Sequence, residues 1–171
     1  TDANLVASFH APGNQQLESK MLGLASILFL SRYSDQVPEW LRRGFDIYFR
    51  GHSVTPDGEL ARGLPTVHLV ALQRAFELEQ YVPLSVLTRR TREDFHERPK
   101  GTERMANLLP EAEAWGLIHF LLHGDCGEVL RNDFLEYVRA ALGRGSKARK
   151  ARFEVSDWSE LERAWKDHVR G

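Results

Sequence analysis

The segment Val37–Phe49 constrains the fold of this chain more than any other part of the sequence. Proline at position 38 is compatible with the first turn of a helix, where its missing N–H is not needed. The large apolar side chains that follow recur at helical spacing, and they are Trp40, Leu41, Phe45, Tyr48 and Phe49. Because so much apolar surface needs a partner, the segment predicts an amphipathic helix packed against a hydrophobic core.

Helical periodicity recurs along most of the sequence. Apolar residues three and four apart predict helices over residues 17–33, 38–49, 65–76, 111–122, 126–142 and 158–169. Asp125 and Asp157 each precede one of these segments, so we expect both carboxylates to cap helix N-termini. Val67, Val70 and Val129 belong to the apolar spacing, and we expect them to face inward.

Strand signals are confined to the start of the chain. Leu5–Phe9 is short and apolar and is followed by a turn over His10–Asn14, so it predicts one strand. Residues 50–63, 89–102 and 143–152 are polar, charged or rich in glycine, and they predict connections. The sequence therefore predicts one mainly α (α+β) domain over residues 1–171. Its parts are a strand and turn (1–16), two helices (17–49) and a C-terminal helical part (64–169).

Composition excludes several classes of protein. The chain has 171 residues, of which 42% are hydrophobic and 27% charged, which is typical of a globular domain with a real core. A net charge of −1 argues against a dedicated nucleic-acid or membrane-surface protein, and no apolar run is long enough to span a membrane. The sequence shows neither an initiator methionine nor a signal peptide, so we expect a piece of a longer chain. The single Cys126 leaves the compartment open.

The helix over Val37–Phe49 carries a motif. Its sequence resembles the pattern Pro-x-Trp-Leu-x-Glu-Gly-(apolar)-x-x-Tyr-Phe of gluzincin-type (peptidase MA-like) metallopeptidases, including a bacterial family of unknown function met in planctomycete-like genomes. In that pattern, the glutamate before the glycine binds zinc. Arg43 stands at this position. A guanidinium has no lone pair for a metal, so the resemblance implies a fold that has lost its zinc.

The segment upstream departs from the family in the same way. In the family, a His-Glu-x-x-His helix supplies two zinc ligands and the general base that activates the bound water. The best match here places Leu22 and Ser26 at the histidine positions and Gly23 at the base position. No histidine lies between His10 and His52, so a shift of register does not restore the motif.

Three downstream segments extend the resemblance over nearly the whole chain from about residue 17. Residues 113–122 are similar to the family's Ala-Trp-x-Leu-(apolar)-His helix, residues 134–138 to the helix after it, and residues 161–169 to its closing helix. The resemblance implies the fold and makes an extracytoplasmic location plausible, although nothing in the chain fixes its localisation. It implies no activity.

Arg43, Trp40 and Tyr48 each have two interpretations. Arg43 either binds an anion where the zinc once lay, or is a cavity-edge residue with no special role. Trp40 flanks the former cleft and either contacts a ligand there or anchors the core. Tyr48 orders the catalytic site in the family, and without zinc it packs in the core with its hydroxyl hydrogen-bonded.

His119 and His123 also have two interpretations. They are four residues apart, the spacing of two metal ligands on one helix face, but only Phe120, Leu121 and Leu122 lie between them. Structural, hydrogen-bonded histidines are one interpretation, and a relocated metal site completed by an acidic residue is the other.

Together these observations predict a catalytically inactive metallopeptidase-like domain that serves as a protein-binding or peptide-binding module or as a scaffold. It needs no cofactor and binds no nucleic acid. The alternative is an active metallohydrolase whose zinc is held by His119, His123 and an acidic residue. A third hypothesis is a structural module of a larger assembly, with the cleft filled by its own side chains. The partner and the oligomeric state stay open.

Overall fold

A computed structural model of the chain describes residues 15–33, 37–55, 57, 59–61, 63–96, 106–143 and 151–171. The predicted strand Leu5–Phe9 and most of the basic segment 143–152 lie outside these residues.

The described part of the chain is mainly helical, as the sequence predicts. It has eight α-helices, one 3-10 turn and one antiparallel pair of two-residue strands. The helices are α1 (Gln15–Tyr33), α2 (Glu39–Arg50), α3 (Thr66–Glu77), α4 (Leu84–Leu87), α5 (Arg92–His96), α6 (Leu109–His123), α7 (Glu128–Ala141) and α8 (Trp158–Arg170). The strands are β1 (Ser53–Val54) and β2 (Leu60–Ala61), and the 3-10 turn is Ala106–Leu108.

Helix α6 is the central element, and glycines allow its neighbours to approach it closely. A Cβ atom at Gly44 of α2 would lie 2.7 Å from the carbonyl oxygen of Ala114 on α6. On another side of α6, a Cβ atom at Gly116 would lie 2.5 Å from Leu72 of α3. Residues 112–118 of α6 are all buried. The core is therefore built around α6, with α2 on one side and α3 on another.

Aromatic side chains fill the space around this core. Trp40 of α2 has no exposed surface and stacks on Tyr137 with ring centroids 6.1 Å apart. Trp165 of α8 has none either, and it meets Phe76 of α3 edge to face at 4.8 Å. Large buried rings contribute strongly to stability through the area that they remove from water.

The two predicted caps have different outcomes. Asp157 caps α8 as predicted, because its carboxylate accepts hydrogen bonds from the backbone N–H groups of Ser159 (2.8 Å) and Glu160 (3.1 Å). The prediction for Asp125 is wrong, since α7 begins at Glu128 after Gly127. Gly127 has a φ of +79°, which glycine adopts without strain, and this turn shifts the start of the helix.

Several other predictions need correction. Residues 50–63 were expected to be a plain loop, but they contain the β1–β2 hairpin. The expected inward positions of three valines are wrong, because Val67, Val70 and Val129 are 58%, 47% and 76% exposed. Periodicity identifies the apolar face of a helix, but the width of the core that covers this face is set by the neighbouring helices.

Candidate functional site

Two of the replaced motif positions, Gly23 and Ser26, lie where α1 packs on α2. A Cβ atom at Gly23 would lie 2.5 Å from both Asp46 Oδ1 and Arg50 Cγ, so glycine permits the close approach of the two helices. The buried Ser26 hydroxyl donates a hydrogen bond to the Gly23 carbonyl oxygen at 2.7 Å. Gly23, which we expected at the general-base position of the motif, is therefore a contact between helices.

Leu22 and Ser26 line a cavity of about 450 Å³ that we call the apolar groove. The groove is bordered by α1, α2 and the end of α7. Its lining consists almost entirely of apolar side chains, from Leu22, Ala25, Ser26, Phe29, Leu30, Phe45, Phe49, Val138 and Leu142. Leu22 and Ser26, which we expected at the histidine positions of the motif, therefore border an apolar surface.

Arg43 belongs to a network of ion pairs. Its Nε donates to Glu39 Oε1 at 2.8 Å, and its Nη1 donates to Glu111 Oε1 of α6 at 3.1 Å. Burial of Glu39 raises its pKa, but hydrogen bonds from Arg42 and Arg43 outweigh this effect and keep the pKa below its usual value. Because its guanidinium already binds two carboxylates, Arg43 links α2 to α6.

The contacts described for the replaced positions form two separate sets. Gly23 meets Asp46 and Arg50, whereas Arg43 binds Glu39 and Glu111. Among the residues that the structure describes, no group of three or more His, Cys, Asp or Glu side chains is arranged to hold a metal ion.

Trp40 and Tyr48 lie in different environments. Trp40 is fully buried among Phe134, Tyr137 and Phe153, so it packs in the core and presents no surface to a ligand. Tyr48 is half-buried, and its hydroxyl is 2.8 Å from Nε2 of His123. This hydrogen bond agrees with the structural interpretation of the tyrosine.

His119 and His123 do lie together, with ring centroids 5.1 Å apart. Their described hydrogen bonds go to different partners, because Nδ1 of His119 is 3.0 Å from Nε2 of His168 and His123 bonds to Tyr48. Burial lowers the pKa of His168. Sequence reasoning missed His168 because it is 49 residues from His119 along the chain.

Sequence reasoning also missed Glu113 as a buried acid. Its side chain has no exposed surface, its Oε1 accepts a hydrogen bond from the backbone N–H of Val82 at 2.7 Å, and its Oε2 has no hydrogen-bond partner among the described residues. Burial raises the pKa of Glu113 to about 7, although the Val82 hydrogen bond and nearby Arg90 oppose the rise. The signal was available in the sequence as an acidic residue inside the most apolar helix.

Comparisons with known proteins identify no relative. No protein-family model, no curated protein and no solved structure matches this chain. In the described part of the chain, no helix is both long and apolar enough to cross a membrane.

Proposed function

We propose that this chain is a catalytically inactive metallopeptidase-like domain that binds a peptide segment of another protein in the apolar groove. The observation that carries the proposal is helix α1, because the described residues cover several of its large apolar side chains only in part. Leu24, Leu28 and Phe29 are 47%, 61% and 53% exposed, and of these Phe29 lines the groove. Contiguous exposed apolar surface of this kind marks an interaction site.

The position of the groove supports this proposal. Leu22 and Ser26, which replace the two histidines of the family motif, line the groove, and Phe29 lies one turn further along the same helix. The groove therefore opens on the face of α1 that carries the residues aligned with the motif. The analogy with the family's peptide cleft adds to this argument but does not replace it.

Charge complementarity favours an amphipathic helical segment with acidic flanks as the partner. None of the described residues that line the groove is acidic. Arg139 of α7 is exposed and follows the lining residue Val138, whereas the exposed Arg50 of α2 is already paired with Asp46. Apolar side chains at positions i, i+3 or i+4, and i+7 of a partner helix would fill the groove, while an acidic end of that helix would meet Arg139.

The replacement of all four motif positions supports the lack of catalysis. Gly23 and Ser26 take part in helix packing and Arg43 in ion pairs, so each has a structural role. The alternative, in which His119, His123 and an acidic residue hold zinc, needs an acidic side chain next to the two histidines. The described residues include no such group of three possible ligands.

Binding of a labelled peptide tests the proposal. The probe is an amphipathic helix of about 15 residues with leucines on one face and glutamates at both ends, a length at which a helix forms readily on docking. Phe29→Glu places a carboxylate in the apolar groove, where it loses hydration and repels the glutamates of the peptide. We expect at least a tenfold loss of affinity for the peptide. The matched control is Val129→Glu, since Val129 is equally apolar and 76% exposed but lies outside the groove lining.

Two results would overturn the proposal. Failure of the wild-type protein to bind the peptide would favour a structural module whose groove is filled by its own chain. Stoichiometric zinc in protein purified without chelators, lost in a His119→Ala/His123→Ala variant, would favour the metallohydrolase.

A further inference from the structure

A second cavity, distinct from the apolar groove, lies between the end of α4 and the segment that precedes α8. It has a volume of about 780 Å³. Its lining includes three arginines, one acid and two aromatic side chains that matter here, namely Arg89, Arg90, Arg152, Glu154, Tyr137 and Trp158. We call it the arginine cavity. It shares no lining residue with the apolar groove.

The arginine cavity is positively charged within a nearly neutral chain. Among the described residues of its lining, three carry a guanidinium group and one carries a carboxylate, whereas the whole chain carries a net charge of −1. Like charges around one cavity repel each other, and an anion bound there would reduce this repulsion.

The guanidinium groups of Arg89 and Arg90 make no hydrogen bond or ion pair within the described ranges of the chain. Arg90 is half-buried, and its charge opposes the rise in the pKa of Glu113 and adds a smaller effect to the Thr91 hydrogen bonds that lower the pKa of Asp94. Arg152 differs, because its Nη1 donates to the Ala151 carbonyl oxygen at 2.9 Å. Each guanidinium has five N–H donors, so Arg89 and Arg90 retain donors for a ligand.

Aromatic residues complete the cavity without adding negative charge. Burial raises the pKa of Tyr137 to about 12, so its hydroxyl stays neutral at physiological pH. Trp158 is half-buried and lines the cavity. The cavity therefore combines cationic donors with an apolar wall.

We propose that the arginine cavity binds a small multivalent oxyanion, a molecule with two or more phosphate or carboxylate groups. The planar fork of arginine matches both groups with paired hydrogen bonds. The volume is that of a small-molecule site, which typically measures about 300 to 1,000 Å³. This proposal is independent of peptide binding in the apolar groove.

Calorimetric titration of the full chain at low salt and pH 6 tests the proposal with three probes: inorganic pyrophosphate, citrate and orthophosphate. At this pH most Glu113 side chains are protonated, so loss of the Arg90 charge has its smallest effect on folding. Arg89→Gln and Arg90→Gln are each expected to weaken binding of the preferred probe at least tenfold, because charge-assisted hydrogen bonds are lost. The control is Arg74→Gln, since Arg74 is exposed on α3 and pairs only with Glu77 among the contacts described.

The three probes separate the sources of the oxyanion. Tighter binding of pyrophosphate than of citrate indicates a phosphate ligand, and the reverse order indicates a polycarboxylate. The proposal is overturned if neither pyrophosphate nor citrate binds, or if orthophosphate binds as tightly as pyrophosphate. It is also overturned if the Arg89→Gln variant binds the preferred probe as tightly as the wild type does. Arg89 is exposed, so its variant keeps the test valid even if Arg90→Gln fails to fold.

Discussion

Helices α1 and α8 use their apolar residues in opposite ways. Helix α8 buries Leu161, Trp165 and Val169 on one face, and its N-terminus is capped by Asp157. Helix α1 leaves Leu28 and other large apolar residues more than 45% exposed. The apolar residues of α8 therefore serve stability, whereas α1, which is richer in apolar residues, retains apolar surface that a partner could cover.

The hydrogen bonds of the two helices differ in the same way as their burial. Glu162 of α8 accepts hydrogen bonds from Tyr81 and from the backbone N–H of Leu84, and the Val169 carbonyl oxygen accepts one from Gln73. These contacts tie α8 to three other parts of the chain. In α1, the side-chain hydrogen bond described, from Ser26, stays within the helix.

The largest expected loss of stability comes from a substitution in the well-packed helix α8. Trp165→Ala removes a fully buried ring from α8, and we expect it to lower the free energy of unfolding by about 3 to 5 kcal/mol. Leu28→Ala on α1 is the control, because Leu28 is 61% exposed and its loss is expected to cost within about 0.5 kcal/mol. Urea denaturation measures both, and equal losses would contradict the division between the helices.

Glu113 gives a pH-dependent prediction for the core beside α8. Its pKa rises from 4.5 in the unfolded chain to about 7 in the folded protein, so folding favours the protonated form. The associated stability is fully present below pH 4.5 and is lost as the pH rises through 7. The wild type loses this stability between pH 5 and pH 8, and the Glu113→Gln variant does not. Over this range we expect the unfolding free energy of the variant to rise relative to that of the wild type by up to about 3 kcal/mol, because one pKa unit corresponds to about 1.4 kcal/mol.

The comparison of variant with wild type isolates Glu113 from other titrating groups. Burial lowers the pKa of His68 and His168, so their contribution to stability is fully present above pH 6.5 and is lost as the pH falls from there through the lower pKa values of the folded state. This trend opposes that of Glu113 but is shared by both proteins. A constant difference in unfolding free energy across the pH range would show that Glu113 does not titrate as described.

Two glycines sharpen the comparison between the packing of α1 and that of the core. Gly44→Ala brings a methyl group against the backbone carbonyl of Ala114, and we expect a cost of about 1 to 3 kcal/mol. Gly23→Ala meets the ion-paired side chains of Asp46 and Arg50, which can move more easily than a backbone carbonyl group. Thermal unfolding should therefore show the larger loss for Gly44→Ala. The reverse order would mean that α1 is held as rigidly as α6.

The smallest expected effect concerns the cap of α8. Asp157→Ala removes two hydrogen bonds to backbone N–H groups and should cost about 1 kcal/mol. Asp125→Ala is the control, because Asp125 precedes α7 in the same way in sequence but does not cap it. Equal costs in denaturation experiments would contradict the structure at both helix starts.

Local features of the sequence predicted much of the fold. Apolar spacing located the six longer helices to within a few residues, and Asp157 was identified as a cap because a cap depends only on the residues beside it. The start of α7 was missed because the backbone conformation of Gly127, and not the nearby carboxylate of Asp125, sets it.

The candidate site was less predictable, because it depends on contacts between distant residues. The sequence located Leu22, Gly23 and Ser26 on one helix but not the glycine contact with Asp46 or the groove that Leu22 lines. The burial of Glu113 and the pairing of His119 with His168 arise only when α6, α8 and the segment around Val82 come together. Hydrophobic periodicity and sequence motifs are local, so they do not predict contacts between segments that are far apart in the chain.

Amide hydrogen exchange of α1, with and without the amphipathic acidic peptide, is the sharpest test of peptide binding at α1. We expect α1 to exchange faster than α8 in the free protein, since Leu24, Leu28 and Phe29 are about half exposed. Added peptide should slow exchange in α1 and leave α8 unchanged, and Phe29→Glu should abolish the slowing. The opposite result would be exchange in α1 that is as slow as in α8 in the free protein and does not change when peptide is added. This result would contradict the claim that α1 is a binding surface.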